Sequence, residues 1–161
     1  MDEPIAQVRA LYDEHGGDLL RYLRGLTGHR QLAEDLLHDT FVQAMRGLEQ
    51  LRRANSPRAW LFSIARHLGL NALRRRRTVV SLSETVTAAA TTAEEDAPLE
   101  RVREAIARLP AVHREALQLR LHVGLSYEEI AEVLGVPVGT VRSRLHNAVR
   151  SLRQQLNPDE D

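Results

Sequence analysis

No stretch of this chain alternates apolar and polar residues with the period of two that a half-buried strand needs, while apolar residues recur at helical spacing along nearly all of it. That property confines the fold to the all-α class. Ile5, Val8, Leu11 and Tyr12 follow Pro4 at helical spacing, and Leu19, Leu20, Leu23 and Leu26 continue the stripe. Gly16 and Gly17 are expected to interrupt or bend this first helix. A second helix is predicted from about Gln31 to Met45, with Leu32, Leu36, Leu37, Phe41 and Ala44 on one side and Gly47 closing it. A third begins at Ser56 and Pro57, a serine N-cap followed by proline at the first helical position. Its apolar stripe is Trp60, Leu61, Ile64, Ala65, Leu68 and Ala72, and it runs out into Arg74, Arg75, Arg76 and Arg77.

The segment Val79 to Ala97 breaks the pattern. It reads VVSLSETVTAAATTAEEDA, rich in Ser, Thr, Ala and acid, with no aromatic residue and no amphipathic period. Such a stretch is expected to be a flexible linker between residues 1–78 and residues 98–161. Each flanking piece is near the lower size limit for an independent core, which favours compact helical units. In the second piece, Pro98 opens a helix that stops at Leu109-Pro110, and another runs from Ala111 to about Val123, ended by Gly124. Ser126-Tyr127-Glu128-Glu129 has the Ser-x-x-Glu form of a capping box, and the helix it starts ends at Gly135. A last helix is predicted from about Pro137 to Leu156, with Asn157-Pro158 as its stop.

Charge is the second informative feature. Lys+Arg and Asp+Glu both total 22, so the formal net charge is zero, which argues against a protein that coats nucleic acid in bulk. All the basic residues are arginine. The neutral sum hides two basic tracts without any acid. Arg52 to Arg77 carries arginines 52, 53, 58, 66, 74, 75, 76 and 77, and Val133 to Pro158 carries arginines 142, 144, 150 and 153. Two separated basic tracts on a short chain point to two contacts with one polyanion.

The segment Ser126 to Leu145 then acquires a specific meaning. A capped short helix, a glycine turn and a second helix with a basic face make a helix-turn-helix. Ala131 is small where two helices would cross, and Gly135 can take the left-handed conformation of a sharp turn. Ile130, Leu134, Val136, Val141 and Leu145 would fill the space between the helices. Thr140, Arg142, Ser143, Arg144, His146 and Asn147 would lie on or beside the outer face, with Arg150 further along. Arginine can donate two bonds to a guanine edge and asparagine can pair with adenine. The other basic tract holds Trp60 and Phe62 among its arginines, a combination that suits unpaired bases as well as duplex phosphate, although core packing also accounts for the Trp60 ring.

Other classes are disfavoured. There is no cysteine, so disulfides and thiolate metal sites are excluded. The seven histidines (15, 29, 38, 67, 113, 122, 146) are scattered, and none forms a His-x-x-x-His pair. Glu34, Asp35, His38 and Asp39 cluster on one helix, but opposite much of its apolar stripe, where a solvated or partner-facing surface is expected. Neither a phosphate-cradling glycine loop nor a nucleophile elbow occurs. Catalysis, bound metal and cofactors are therefore not expected. No apolar run is long enough to span a membrane, and the acidic N-terminus does not read as a signal peptide, so a cytoplasmic protein without membrane insertion is expected.

Three segments together carry a family resemblance. AEDLLHDTFVQAMR (Ala33 to Arg46), SPRAWLFSIARHLGLNALRRRR (Ser56 to Arg77) and LSYEEIAEVLGVPVGTVRSRLHNAVRSLRQQL (Leu125 to Leu156) resemble, in order and spacing, a bacterial RNA polymerase sigma factor of the extracytoplasmic-function group. The resemblance covers nearly the whole chain and implies the minimal two-domain form. It implies that the helix with Glu34, Asp35, Asp39 and Gln43 docks on the clamp helices of the largest subunit of core RNA polymerase. It implies that the tract Arg52 to Arg77 binds and melts the promoter −10 element, with Asn55, Arg58, Trp60, Arg66, His67, Asn71 and Arg74 to Arg77 as candidates. It implies that the helix-turn-helix reads the −35 element and meets the flap of the second large subunit, with Arg142, Ser143, His146 and Asn147 facing bases. Many relatives carry arginine or a bulkier residue where this chain has His146 and Asn147. An anti-sigma factor is a further partner that the resemblance allows.

The competing expectation is a stand-alone helix-turn-helix repressor or activator with an N-terminal sensing or dimerising domain. Such a regulator would dimerise and bind duplex palindromes unaided. It would need neither an aromatic-arginine tract nor an acidic docking face in its other half. A helical adaptor without a DNA role would leave both acid-free tracts unexplained.

Overall fold

The computed structural model describes residues 2–80 and 97–159, and these form two separate compact units. Among the described residues every regular element is helical. The first unit comprises α1 (Asp2–Thr27), α2 (Arg30–Arg46), α3 (Leu48–Arg53) and α4 (Pro57–Val80). The second comprises α5 (Ala97–Ala107), α6 (Ala111–Gln118), a π-helical turn (Leu119–Val123), α7 (Tyr127–Leu134) and α8 (Val138–Leu156). The linker expected at 79–97 lies, for 81–96, outside the described residues. At its edges, Val79 and Val80 extend α4 and Ala97 begins α5.

In the first unit α1 packs on both α2 and α4. Leu19 and Leu23 of α1, Ala33 and Ala44 of α2, and Leu61, Phe62 and Ala65 of α4 are fully buried. Tyr22 meets Phe62 with ring centroids 5.5 Å apart, a contact worth about 0.5–1.5 kcal/mol beyond its buried area. Gly69 of α4 lets α1 approach closely: a Cβ there would lie 2.7 Å from Cδ2 of Leu26. Thr40 is buried on α2 at no hydrogen-bonding cost, because its hydroxyl donates to the Leu36 carbonyl at 2.7 Å.

Two local expectations are corrected and one is extended. The Gly16-Gly17 pair neither breaks nor ends the first helix, since α1 continues through both to Thr27. Glycine inside a helix costs about 1 kcal/mol against alanine, less than the burial of Val8, Leu19, Tyr22 and Leu23 on the same helix supplies. Gly47 closes α2 but also starts the short α3, which the apolar pattern did not announce. Ile5 and Tyr12, placed by spacing on the apolar stripe, are more than half exposed. They line an open groove of about 450 Å³ with Val8, Phe41 and Met45.

In the second unit α5, α6 and α7 all pack on α8. Ala116, Leu119, Leu125, Ile130, Val141 and Ala148 are fully buried. Two arginines outside the acid-free tract serve the backbone here. Arg114 donates to the Ala107 carbonyl at 3.0 Å, and Arg120 donates to the Leu125 carbonyl at 2.9 Å while its guanidinium lies 5.1 Å above the Tyr127 ring centroid. Both ties join the stretches that precede the α7–α8 pair.

Candidate nucleic-acid interface

The α7–α8 pair is built by short-range chemistry. The Ser126 hydroxyl accepts from the Glu129 amide at 3.1 Å, and the Glu129 carboxylate accepts from the Ser126 amide at 3.0 Å. This reciprocal cap satisfies two donors at the start of α7. Gly135 ends the helix at φ 65°, the left-handed region where a side chain is strained. Ile130 and Val141 are fully buried, Leu134 and Leu145 nearly so, and Ala131 lies at the edge of burial. Val136, expected in the same seam, is half-buried.

That packing fixes which side of α8 faces out. Val141, Leu145 and Ala148 point into the unit at helical intervals. Arg142, Ser143, His146, Asn147 and Arg150 are exposed, and Thr140 and Arg144 are half-buried at the edge of the same surface. Arg142, Ser143, His146 and Asn147 share one face at steps of three and four, the arrangement that lets a helix present several side chains to one groove. Around Gly139 there is open space, so backbone is accessible at the first turn.

The second basic surface has a different construction. Asn55 is exposed in the short connection before α4, and the Ser56 hydroxyl caps that helix by accepting from the Ala59 amide at 3.2 Å. Arg74 to Arg77 are all exposed on the part of α4 that runs beyond its last buried residue, Ala72. Arg58, Arg66 and Asn71 are half-buried and His67 is exposed. Trp60 is half-buried and leans toward Gly47, where a Cβ would lie 3.0 Å from its Cζ2. Phe62, grouped with it by sequence, is wholly buried and offers no ring to a base. Its neighbours in sequence signal an exposed tract, and only its partner Tyr22, forty positions away, reveals it as core.

On α2, Asp35, Asp39 and Gln43 are exposed on one side of the helix. Glu34 turns toward α1, half-buried, 3.9 Å from Arg24 and 3.5 Å from Arg30. Asp35 accepts from the Gln31 amide at 3.2 Å. No cluster of His, Asp and Glu among the described residues could hold a metal ion, and no described helix is long and apolar enough to cross a membrane.

A helix-turn-helix unit joined in one chain to a second helical unit with its own basic face defines a two-part DNA-binding protein. Comparison with known proteins gives the family. Residues 11–79 match Sigma-70 region 2, and residues 99–152 match Sigma-70, region 4. The chain is 40% identical over 158 residues to the ECF RNA polymerase sigma factor SigL of Mycobacterium tuberculosis, covering 94% of this chain and 89% of that protein. It is 34% identical over 163 residues to the RNA polymerase sigma factor YlaC of Bacillus subtilis, covering 96% and 94% respectively. In structure it is similar to the sigma factor RpoE solved in complex with the anti-sigma factor NepR from Bartonella quintana. There the TM-score is 0.73 at 26% identity, over 99% of this chain and 100% of that one. The chain belongs to the extracytoplasmic-function RNA polymerase sigma factors, and it directs polymerase to promoters. The stand-alone repressor or activator is not favoured.

Proposed function

We propose a division of labour between the two units. α8 reads the −35 element through Arg142, Ser143, His146 and Asn147, with Thr140, Arg144 and Arg150 beside them. The connection before α4, and α4 itself, bind the −10 element and hold its strand unpaired. Asp35, Asp39 and Gln43 of α2 meet the clamp helices of the largest polymerase subunit, Glu34 bordering that surface, and the second unit also meets the flap of the second large subunit. The chain acts by binding in the cytoplasm and not by catalysis. An anti-sigma factor that covers either basic surface would silence it, in keeping with the complex in which the similar sigma factor RpoE was solved.

The observation that carries this reading is the presence of two acid-free basic tracts on two helical units, one of them a helix-turn-helix. Each offers few phosphate contacts, so each alone binds weakly. Polymerase holding both units on one promoter raises the effective concentration of the second contact once the first is made. Binding to the unpaired strand then shifts the duplex toward its open form by differential affinity.

The experiment is co-purification with core polymerase, followed by transcription from a library of randomised promoters. The expected result is a stoichiometric complex that selects paired −35 and −10 sequences, while the free chain selects none. A dimer of the free chain that binds palindromic duplex unaided would overturn the proposal.

A further inference from the structure

A basic tract attracts phosphate, and a hydroxyl within one is a place where phosphate can be installed. Among the described residues three hydroxyls have arginine three positions before them: Thr27 behind Arg24, Ser56 behind Arg53 and Thr78 behind Arg75. Their surroundings separate them. Thr27 is buried and donates to the Leu23 carbonyl at 2.7 Å. Ser56 is half-buried and caps α4 by accepting from the Ala59 amide. Thr78 is exposed, directly after Arg74 to Arg77, and its hydroxyl makes a longer bond, 3.2 Å, to the Arg74 carbonyl.

Thr78 also lies in the last turn of α4, which ends at Val80. An acceptor hydroxyl must leave its helix to enter a kinase active site. A terminal turn opens at little cost, whereas a buried or interior turn does not. The side chains before Thr78 match what such an enzyme selects. Kinases read the charge pattern beside the acceptor, and four arginines complement an acidic substrate groove.

We infer that Thr78 is an acceptor site for an arginine-directed serine/threonine kinase, and that its phosphorylation switches off the attraction of α4 for the −10 strand. The second half rests on the assignment of α4 to that strand proposed above. In the transfer, Oγ1 of Thr78 bonds to the γ-phosphorus of ATP and the bond from that phosphorus to ADP breaks. ADP leaves with the electron pair, and the hydroxyl proton passes to a base of the kinase. The product carries about −1.5 to −2 charge at neutral pH. Arg74 and Arg75, four and three residues earlier, stand beside it on the helix surface. A phosphate at a helix C-terminus opposes the helix dipole, so it turns to these guanidiniums for compensation. It offers them the same chemistry as a DNA phosphate, but from within the chain and so at a far higher effective concentration. About two of the four charges are then neutralised before a promoter arrives.

The test treats the full chain with ATP and the catalytic subunit of cAMP-dependent protein kinase, an arginine-directed enzyme, and locates phosphate by mass spectrometry. The expected product carries one phosphate, on Thr78, and Thr78→Ala carries none. Holoenzyme assembled with modified or unmodified chain is then titrated with a single-stranded −10 oligonucleotide across a salt series. Phosphorylation is expected to weaken binding about tenfold or more at low salt, to lower the salt slope by about one to two units, and to leave sequence preference unchanged. Phosphatase treatment should restore binding, and kinase-treated Thr78→Ala should bind as the untreated chain does. Absence of phosphate from Thr78, or full modification of Thr78 with unchanged binding, would overturn the inference. The variant Arg74→Ala/Arg75→Ala separates this failure from the broader one. If it weakens binding while phosphorylation does not, only the switch is wrong. If it too leaves binding to the unpaired strand unchanged, the assignment of α4 to that strand is wrong as well.

Discussion

α4 and α8 each lie in a tract without acid, yet they place arginine by different rules. In α8 the core positions Val141, Leu145 and Ala148 recur along the helix, with Arg142 exposed and Arg144 half-buried among them. In α4 the core stripe ends at Ala72, and four consecutive arginines follow on the portion that projects past it. An arginine flanked by anchored residues has a fixed address and can meet one base edge. Four in a row point in every direction around the helix and can do little more than supply charge. On the proposed roles, the same residue type serves reading in one unit and attraction in the other, and what decides between them is the rhythm of the apolar residues.

If the two units stand on separate cores, the largest expected effects fall on one unit at a time. Phe62→Ala removes a fully buried ring and its Tyr22 contact, and should cost the first unit about 3–5 kcal/mol. Ile130→Ala should cost the second unit about 2–5 kcal/mol. Trp60 is the chain's single tryptophan, so its fluorescence reports only on the first unit. In urea, Phe62→Ala should shift the fluorescence transition, whereas Ile130→Ala should leave it in place and shift only the circular dichroism of the second unit. A fluorescence shift in Ile130→Ala would mean that the cores are coupled.

The next effect concerns reading. Arg142→Ala should lose about 1–3 kcal/mol of binding in holoenzyme and relax choice at one or two −35 positions, measured on a −35 library. Ser126→Ala should cost about 1 kcal/mol of stability through the lost cap, seen by thermal melting, and weaken all −35 sequences alike. The smallest effect belongs to Arg150→Ala, two turns beyond Arg142. It should weaken every promoter about equally and lower the salt slope by about one unit at most. If Arg142→Ala proves uniform and Arg150→Ala selective, the proposed orientation of α8 in the groove fails.

How much of this was legible in the sequence depended on the range of the forces involved. The cap at Ser126 and Glu129, the left-handed Gly135 and the start of α4 at Ser56 are all set within three or four residues, and each lies where the pattern placed it. The helix-turn-helix candidates, Arg142 to Asn147, follow from that local frame. Features decided by distant partners were not legible. The continuity of α1 through two glycines depends on what α2 and α4 bury against it. The burial of Phe62 depends on Tyr22. The junction at Gly47, where α2 gives way to α3 beside Trp60, carries no apolar period at all.

The separation of buried from exposed positions along α8 has a consequence for how such proteins diversify. Stability is carried by residues that face inward, and the outward residues Arg142, Ser143, His146 and Asn147 touch little else in the unit. On the proposed assignment of α8 to the −35 element, substitutions there would alter which sequence is preferred without endangering the fold, because exposed changes on a helix usually move stability by no more than about 0.5 kcal/mol. After a gene duplicates, one copy can drift toward a new set of promoters through single, individually tolerated steps. The clustered arginines of α4 carry no comparable address, so on the same proposal the attraction they would supply persists unchanged while the preference of α8 moves.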